Sequence, residues 1–462
     1  MDFHLSSPVV LIGALVVGAS IGLPILLLVV LLLPSEYKEQ SAPRSAVLVL
    51  GDIGRSPRMQ YHALSIAKHG GSVDLIGYNE SPLHPDLAQN PKVIVHALPP
   101  PPAILRFKAL PFIISGPLKV LWQICSLYYV LAHGTDPAKW LLVQNPPSIP
   151  TLIVAGLVSF QRRTRLIIDW HNYGWTILAG TKGAGHPFVK ISKIYECWMA
   201  RVAPHTNITV THAMAKQLLK EPYSITTPVF ALHDRPAAIF QPLASVPDRK
   251  GFLERLPETR DVAQNILAGE TKLIVSSTSW TPDEDFSLLL DALVEYAKDA
   301  PRPVVAIITG KGPQKAHYQA EIASLQKAGE LPNIRILTAW LSMEDYAMLL
   351  SCADLGICLH MSSSGVDLPM KVVDMFGSGL PVAAYSKYES FTELVKEGQN
   401  GCGFETAPEL AAILSRLFSD SGDDELRTLR GGAQKEGSLR WDEEWDRTLG
   451  RVLGFVKSIR DS

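Results

Sequence analysis

The residues best suited to chemistry lie at positions 362–382, where a loop of serine and glycine leads into a short amphipathic helical pattern. Small residues leave backbone N–H groups exposed where a helix begins, and the helix dipole adds to their attraction for an anion. Asp374 follows Asp367 by seven residues, about two helical turns, so both carboxylates are predicted to face one cleft. Carboxylates repel phosphate and suit sugar or ribose hydroxyls better. The stretch therefore predicts a nucleotide-sugar site.

Two lysines offer cations for the phosphates of such a donor. Lys371 lies inside this stretch, and Lys311 lies in the Gly-Lys-Gly-Pro turn at residues 310–313. For Lys311, a glycine turn with an exposed lysine is an equally good interpretation. The residues predicted to bind the donor are Lys311, Ser363, Gly365, Asp367, Lys371 and Asp374.

A second glycine loop, residues 51–59, follows an apolar run typical of a buried strand. It lacks the GxGxxG spacing of a dinucleotide fold and the Lys-Ser/Thr pair of a P-loop. Arg55 and Arg58 could instead hold a diphosphate through paired guanidinium bonds, and Asp52 could accept a hydroxyl proton. The alternative is a turn whose arginine side chains are solvated.

Polar and aromatic residues follow the apolar run 166–169, the position at which open α/β sheets bind ligands. His171 is a candidate base there, although a capped histidine of the core is an equally good interpretation. Asp52 and His171 are therefore both candidates for the catalytic base, in no secure order. The residues predicted to bind the acceptor are Gly54, Arg55, Arg58 and Asn172.

The composition is that of a globular chain without electrostatic preference for nucleic acid. It has 462 residues, of which 47% are hydrophobic and 19% charged, and a formal net charge of −2. This length provides for two or three domains with sizeable cores. The five cysteines are scattered and lack the spacing of a zinc site. We interpret them as reduced thiols and predict no metal site.

Short apolar runs alternate with helical patterns, which predicts parallel sheets with helices on both faces. A proline-rich, charged segment separates two such series, and the cluster at residues 233–235 before it most simply forms ion pairs at a domain interface. The predicted strands are residues 46–50, 73–77, 93–95, 140–143, 166–169, 273–277, 304–309, 334–337, 355–359 and 381–385. The predicted domains are an acceptor-side Rossmann-like domain at 44–235, a hinge at 236–265, a donor Rossmann-like domain at 266–435 and a C-terminal helix at 436–462.

The N-terminal part, residues 1–43, is predicted to be a membrane anchor. Residues 9–33 carry no charge, and 25 residues at about 1.5 Å each span a hydrocarbon core of roughly 30 Å. The alternative is a cleaved signal peptide, but no Lys or Arg precedes the run and no A-x-A site follows it. Lys38 and Arg44 after the run favour a cytosolic location for the rest of the chain.

Residues 118–132 are apolar and aromatic but too few to span a membrane. A core helix is the favoured interpretation. The alternative is a membrane-docking face near a lipid substrate.

Taken together, these motifs resemble a glycosyltransferase with two facing Rossmann-like domains, the B-type fold. The donor-helix pattern from Leu368 to Val382 is similar to that superfamily, but Asp374 stands where a glutamate is usual. The upstream acid of the retaining enzymes is missing, with Ser364 near its place. The anchor and the motifs at residues 51–60, 169–174, 233–236 and 367–377 together resemble the chitobiosyldiphosphodolichol β-mannosyltransferase family.

This resemblance implies transfer of the first mannose from GDP-mannose to GlcNAc2-diphosphodolichol, on the cytosolic face of the endoplasmic reticulum, in the pathway for protein N-glycosylation. The β1,4 linkage from an α donor implies inversion. The resemblance also implies that no metal is required, although a divalent cation could stimulate the reaction. It further implies a complex with other lipid-linked oligosaccharide transferases. The alternatives are an anchored transferase with another nucleotide sugar or lipid acceptor, or a catalytically dead scaffold of the same fold.

Overall fold

The structure is a computed structural model that describes residues 34–39, 43–106, 112–243 and 245–456. The predicted anchor at residues 9–33 lies outside these residues. Within the described ranges, no helix has both the length and the apolar character needed to cross a membrane.

The chain forms two compact units. One comprises Met1–Ile167 with Ala203–His205, and the other comprises Ile168–Val202 with Thr206–Ser462. We call them the first and the second unit. The strands are β1 (Arg44–Asp52), β2 (Ser72–Tyr78), β3 (Val93–Ala97), β4 (Trp140–Asn145), β5 (Arg165–Trp170), β6 (Thr206–Thr209), β7 (Val229–Ala231), β8 (Lys272–Ser277), β9 (Val304–Thr309), β10 (Ile334–Ala339), β11 (Leu355–Cys358), β12 (Val382–Tyr385) and β13 (Gly401–Phe404). All ten predicted strands are confirmed, most of them longer by one or more residues.

Helices connect the strands, as the alternating pattern predicts. They are α1 (Pro57–Lys68), α2 (Pro85–Ala88), α3 (Phe112–Tyr129), α4 (Thr151–Arg162), α5 (Gly174–Lys182), α6 (Pro187–Val202), α7 (His212–Leu218), α8 (Val246–Arg255), α9 (Ala263–Leu267), α10 (Ser287–Ala297), α11 (Lys315–Ala328), α12 (Met343–Cys352), α13 (Met370–Gly377), α14 (Phe391–Leu394), α15 (Ala407–Leu417), α16 (Asp423–Gly437), α17 (Trp441–Trp445) and α18 (Arg451–Leu453). The C-terminal helical pattern is interrupted by a π turn at Asp446–Gly450, between α17 and α18.

The strands form two parallel sheets. Their orders are β3-β2-β1-β4-β5-β6-β7 and β10-β9-β8-β11-β12-β13. In each sheet the order reverses once, between β1 and β4 and between β8 and β11. Ligands of open α/β sheets bind beyond the carboxyl ends of the strands at such a switch point. We therefore expect ligands at the loops after β1 and β4 in the first sheet and after β8 and β11 in the second.

Both faces of the second sheet are buried, which explains its continuous apolar strands. On β8, Leu273 and Val275 pack with Val372 of α13 in one hydrophobic cluster. Ile274, between them, packs with Leu410 of α15 in another. This alternation fixes the register of β8 and thereby positions the loop that follows it.

The apolar segment at residues 118–132 is helical, as predicted, and continues as a π turn at Val130–Gly134. It is buried on one side through Leu127 and Leu131. On the other side Leu121 and Tyr129 are 55% and 66% exposed. The segment therefore combines features of both interpretations.

Candidate active site

The loop after β11 is organised around the carboxylate of Asp367, which is only 7% exposed. Asn172 Nδ2 donates to Asp367 Oδ2 at 3.1 Å, and His360 Nε2 lies 3.3 Å from the same oxygen. The hydroxyls of Ser362 and Ser364 donate to Oδ1. A carboxylate with four such partners holds the loop in one conformation.

Backbone contacts fix the same loop from outside. Thr211 Oγ1 donates to the carbonyl of Val366 at 2.6 Å, and Ser390 Oγ donates to the carbonyl of Asp367 at 2.7 Å. Gly365 has a φ of 77°, a conformation that favours glycine. Ser363 Oγ accepts from Asn172 Nδ2 at 3.1 Å. The structure thus brings together three predicted donor residues and Asn172, which sequence reasoning assigned to the acceptor.

The two acids of this stretch do not share one helix. Helix α13 begins only at Met370, after Pro369, so the expectation that seven residues represent two helical turns from Asp367 to Asp374 is wrong. Proline at 369 explains the difference, since it disfavours helix in the preceding residue. The carboxylates accordingly have different surroundings.

Asp374 lies on α13 in the field of a second acid, Asp234. Burial, and then the charge of Asp234, raise the pKa of Asp374 to about 8. The carboxyl therefore holds a proton at neutral pH and can donate a hydrogen bond. Sequence reasoning missed Asp234 as its neighbour because 140 residues separate the two.

Lys371, at the start of α13, forms an ion pair with Glu284, whose side chain is 4% exposed. Burial alone would raise the pKa of Glu284, but Lys371 and donors from Ser279 lower it below its usual value. Glu284 Oε2 also accepts from Thr278 Oγ1 at 3.0 Å and from Ser279 Oγ at 2.8 Å. This carboxylate therefore connects the loop after β8 to α13, across the switch point of the second sheet.

Lys311 follows β9 and lies on an aromatic ring. Its Nζ is 3.7 Å from the ring centroid of Trp340, which is 63% exposed after β10. The flanking glycines are required by close packing: a Cβ on Gly310 would lie 1.8 Å from the carbonyl oxygen of Thr278, and one on Gly312 would lie 1.7 Å from that of Ser279. The loops after β8 and β9 are therefore packed directly against each other at the carboxyl end of the second sheet.

His171 is hydrogen-bonded to an acid that sequence reasoning did not single out. Its Nε2 lies 2.9 Å from Oδ2 of Asp169, which is fully buried at the end of β5. With Nε2–H donating to the carboxylate, Nδ1 is left as a proton acceptor. The signal in the sequence was an aspartate two residues before the histidine at the end of an apolar strand.

In the first unit, Asp52 is the last residue of β1, and its side chain holds the following loop together. Its Oδ1 accepts from the backbone N–H groups of Glu80 and Ser81, each at 3.1 Å, and of Gly54 at 3.3 Å. A side-chain hydrogen bond with Ser81, assisted by these N–H groups, lowers the pKa of Asp52. Lowering the pKa makes a carboxylate a weaker base.

The two arginines that follow Asp52 differ sharply in the exposure of their side chains. The Arg55 side chain is 82% exposed and lies 3.5 Å from Asp52, as in a turn with solvated arginines. Arg58 on α1 is only 4% exposed, so that interpretation is wrong for it. Gly54 is closely packed, because a Cβ there would lie 2.6 Å from the carbonyl oxygen of Ser81.

The cluster at residues 233–235 forms ion pairs within the second unit. The His233 ring lies 3.0 Å from Glu393 and 3.4 Å from Glu444. The predicted ion pairs are therefore present, but all partners belong to the second unit, so their predicted place at a domain interface is not confirmed. Arg235 pairs with Glu436 at 3.0 Å and with Glu444 at 3.3 Å. These contacts join the segment after β7 to α14, α16 and α17.

Among the described residues, one group has ligand atoms close enough to hold a metal ion: His212, His233 and Glu393, within 4.8 Å of one another. Burial lowers the pKa of His233, but its hydrogen bonds to Glu393 and Glu444 outweigh burial and raise it to about 9. A metal needs a neutral imidazole, so an ion would have to displace this proton. The group is better suited to an ion-pair network.

Comparison with known proteins identifies the family. A family model described as "Glycosyl transferases group 1" matches residues 270–420. A protein of Arthroderma benhamiae is 49% identical over 80% of this chain and 84% of its own length. A mouse protein is 40% identical over 92% of each chain, and a human one 38% identical over 92% of this chain and 97% of its own. All three are named chitobiosyldiphosphodolichol beta-mannosyltransferase.

Solved structures share the fold. Sucrose-phosphate synthase from Thermosynechococcus elongatus has a TM-score of 0.65 at 16% identity, covering 89% of this chain and 98% of its own. Anabaena HepE, solved in complex with UDP and glucose, has a TM-score of 0.62 at 16% identity, covering 89% and 99%. The two parallel-sheet α/β domains are thus those of B-type glycosyltransferases. With its relatives taken into account, this chain belongs to the chitobiosyldiphosphodolichol β-mannosyltransferase family and is a glycosyltransferase.

Proposed function

We propose that the chain transfers mannose from GDP-mannose to GlcNAc2-diphosphodolichol, forming the β1,4-linked first mannose of the dolichol-linked oligosaccharide for protein N-glycosylation. The observation that carries this proposal is the 38–49% identity, over most of the chain, to relatives named chitobiosyldiphosphodolichol beta-mannosyltransferase. The loops after β8 and β11, at the switch point, and the adjacent loop after β9 support it, because they supply cations and hydroxyl ligands.

On the donor side, the diphosphate is held by Lys311, Lys371 and the N–H groups at the start of α13. Its charge grows as the sugar leaves, so fixed cations stabilise the transition state more than the ground state. Lys371 exchanges its bond to Glu284 for one to phosphate. Ser363 and Gly365 provide the loop, and Asp367 and Asp374 serve the hydroxyls, Asp374 as a donor while it is protonated.

His171 is the base we favour, with Asp169 as its positioning residue. Nδ1 takes the proton from the 4-hydroxyl of the acceptor, the oxygen attacks C1 of mannose, and the bond from C1 to the diphosphate breaks with its electron pair on GDP. Attack opposite the leaving group inverts the α donor to a β product. Asp52 remains the alternative base, but its lowered pKa makes it a poorer one.

The acceptor is assigned to Gly54, Arg55 and Arg58 in the first unit and to Asn172 in the second. Residues 1–43 anchor the chain in the endoplasmic reticulum membrane with the catalytic part facing the cytosol. We propose no required metal, with stimulation by a divalent cation, and assembly with other transferases of the same pathway.

The test is a transfer assay with the purified full chain, a chitobiosyl-diphospholipid acceptor, and either GDP-mannose or UDP-GlcNAc, each with and without EDTA. We expect product from GDP-mannose only, with EDTA lowering but not abolishing it. Product from UDP-GlcNAc alone would overturn the donor assignment. No product from either donor, in folded protein that binds GDP, would identify a scaffold that has lost catalysis.

A further inference from the structure

Helix α6 of the second unit leaves one apolar side open to solvent. Five large side chains recur along it at intervals of three or four residues and are 53–70% exposed: Phe188, Ile191, Ile194, Trp198 and Val202. This spacing places them on one stripe of the helix. Ile177 on the neighbouring helix α5 is also 45% exposed. We call these six residues the α5–α6 surface.

Exposed lysines border this surface, and the exposed arginine of α6 is paired with an acid. Lys190 is exposed on α6 and Lys182 at the end of α5, in the same hairpin. Arg201 of α6 is also exposed, but it pairs with Glu221 at 3.3 Å. The single acid of α6, Glu196, is fully buried, where it accepts from the N–H of Gly174 at 2.9 Å and from the hydroxyl of Tyr223 at 2.6 Å. No carboxylate of α6 therefore opposes an anionic partner.

Single exposed apolar residues need no explanation, but a continuous stripe marks an interaction site. An apolar stripe with lysine and arginine at its border is typical of a helix that lies in a membrane interface. We propose that the α5–α6 surface docks on a phospholipid bilayer containing anionic headgroups, as a membrane contact separate from the N-terminal segment.

The same hairpin also lines a cavity of about 580 Å³. Trp175 and Thr176 of α5, Lys193 of α6 and Ser363 of the Asp367 loop face it, with Lys193 Nζ 4.4 Å from the ring centroid of Trp175. Docking would bring this cavity to headgroup level. This consequence rests on the proposed function. Docking would present the diphosphate of the lipid-linked acceptor to the candidate active site while the lipid stays in the membrane.

The test uses the full chain in nanodiscs, with Cys125→Ser to remove the exposed native cysteine. An environment-sensitive NBD label is attached at Ile191→Cys, and in a matched control at Ser324→Cys on the exposed side of α11. Lipids with doxyl-labelled tails should quench NBD at 191 at least about twofold and leave NBD at 324 unchanged. Replacing anionic lipids with phosphatidylcholine should weaken the quenching.

Absence of quenching at 191 in folded protein would overturn the proposal. A concentration-dependent blue shift of NBD at 191 without quenching would also overturn it, and would identify a second copy of the chain as the occupant.

A second arm measures the consequence for transfer. The double variant Ile191→Ser, Trp198→Ser should keep its turnover on a detergent-soluble, short-chain acceptor and lose at least about fivefold on an acceptor in bilayers. Met343→Ser removes an equally exposed apolar side chain elsewhere and is the control. Quenching needs no catalysis, so failure of the proposed function and failure of the docking proposal are distinguishable.

Discussion

At the scale of single residues, the pair formed by Asp169 and His171 is the chemical centre of the account. A buried carboxylate that fixes one ring nitrogen leaves the other as a base and stabilises the imidazolium that proton transfer creates. Asp52 is held by three backbone donors and has a lowered pKa. Its geometry suits a residue that shapes a loop.

We predict that His171→Asn lowers kcat for mannosyl transfer at least about 100-fold, and that Asp169→Asn lowers it at least about tenfold. The KM for GDP-mannose should change less than about twofold, because neither side chain is assigned to the donor. Asp52→Asn is the control. A larger loss of kcat in folded Asp52→Asn than in His171→Asn would transfer the role of base to Asp52.

Asp374 should cost stability where it serves activity. In the folded protein the carboxyl of Asp374 keeps its proton up to about pH 8, whereas in the unfolded chain it ionises near pH 3.8. The contribution of this group to the free energy of unfolding therefore falls as the pH rises between those values. We predict that Asp374→Asn raises the thermal unfolding midpoint at pH 8, with little effect at pH 4. Asp374→Ala, which removes the hydrogen-bonding group altogether, should lower transfer at least about tenfold, or 1.4 kcal/mol of barrier. An unchanged midpoint at pH 8 would contradict the burial of this charge.

His233 contrasts with Asp374, because the folded protein favours the charged form of its side chain. Its pKa rises from 6.5 to about 9, so its contribution is complete below pH 6.5 and is lost as pH rises to 9. Such a shift corresponds to about 3 kcal/mol at most. We predict that His233→Gln lowers the unfolding midpoint at pH 6 and makes it less dependent on pH up to 9. Calorimetry measures how the unfolding midpoint changes with pH in both proteins. If the midpoint of His233→Gln depended on pH as strongly as that of the unchanged protein, this ion-pair network would be excluded as the cause of the pH dependence.

At the scale of elements, α13 and the loop after β8 act together through Lys371 and Glu284. We predict that Lys371→Ala weakens GDP binding and lowers transfer at least about tenfold, because a cation near the leaving diphosphate is lost. Glu284→Gln removes the carboxylate that pairs with Lys371 but keeps the lysine. This variant should disturb the loop after β8, yet its affinity for GDP should be higher than that of Lys371→Ala. Isothermal titration with GDP measures both. Normal affinity in folded Lys371→Ala would remove this lysine from the donor site.

The elements themselves could be predicted well, since buried parallel strands leave a local signal of four to six apolar residues. The start of α13 could not, because the helical spacing extended back to Asp367, whereas Pro369 keeps the residue before it out of the helix. The cluster around Asp367 was also invisible, as Asn172 lies 195 positions away along the chain. Spacing predicts contacts within an element, whereas packing decides those between elements.

At the scale of the whole molecule, each sheet carries its ligand loops at its own switch point. The loop after β1 belongs to the first unit, and the loops after β8 and β11 belong to the second. Motif and resemblance together pointed to these loops from the sequence. They could not show that Asp169 contacts His171, that Asp234 lies near Asp374, or that the α5–α6 surface is exposed, because these features emerge only when the helices have packed.

The most direct test of the account is the structure of the product. The full chain is incubated with GDP-mannose and a chitobiosyl-diphospholipid, the trisaccharide is released by mild acid, and its terminal mannose is challenged with β-mannosidase and with α-mannosidase. We predict one added mannose, β1,4-linked and removed by β-mannosidase alone. An α-linked mannose would contradict the single inverting displacement, and the absence of any added mannose would contradict the assigned reaction.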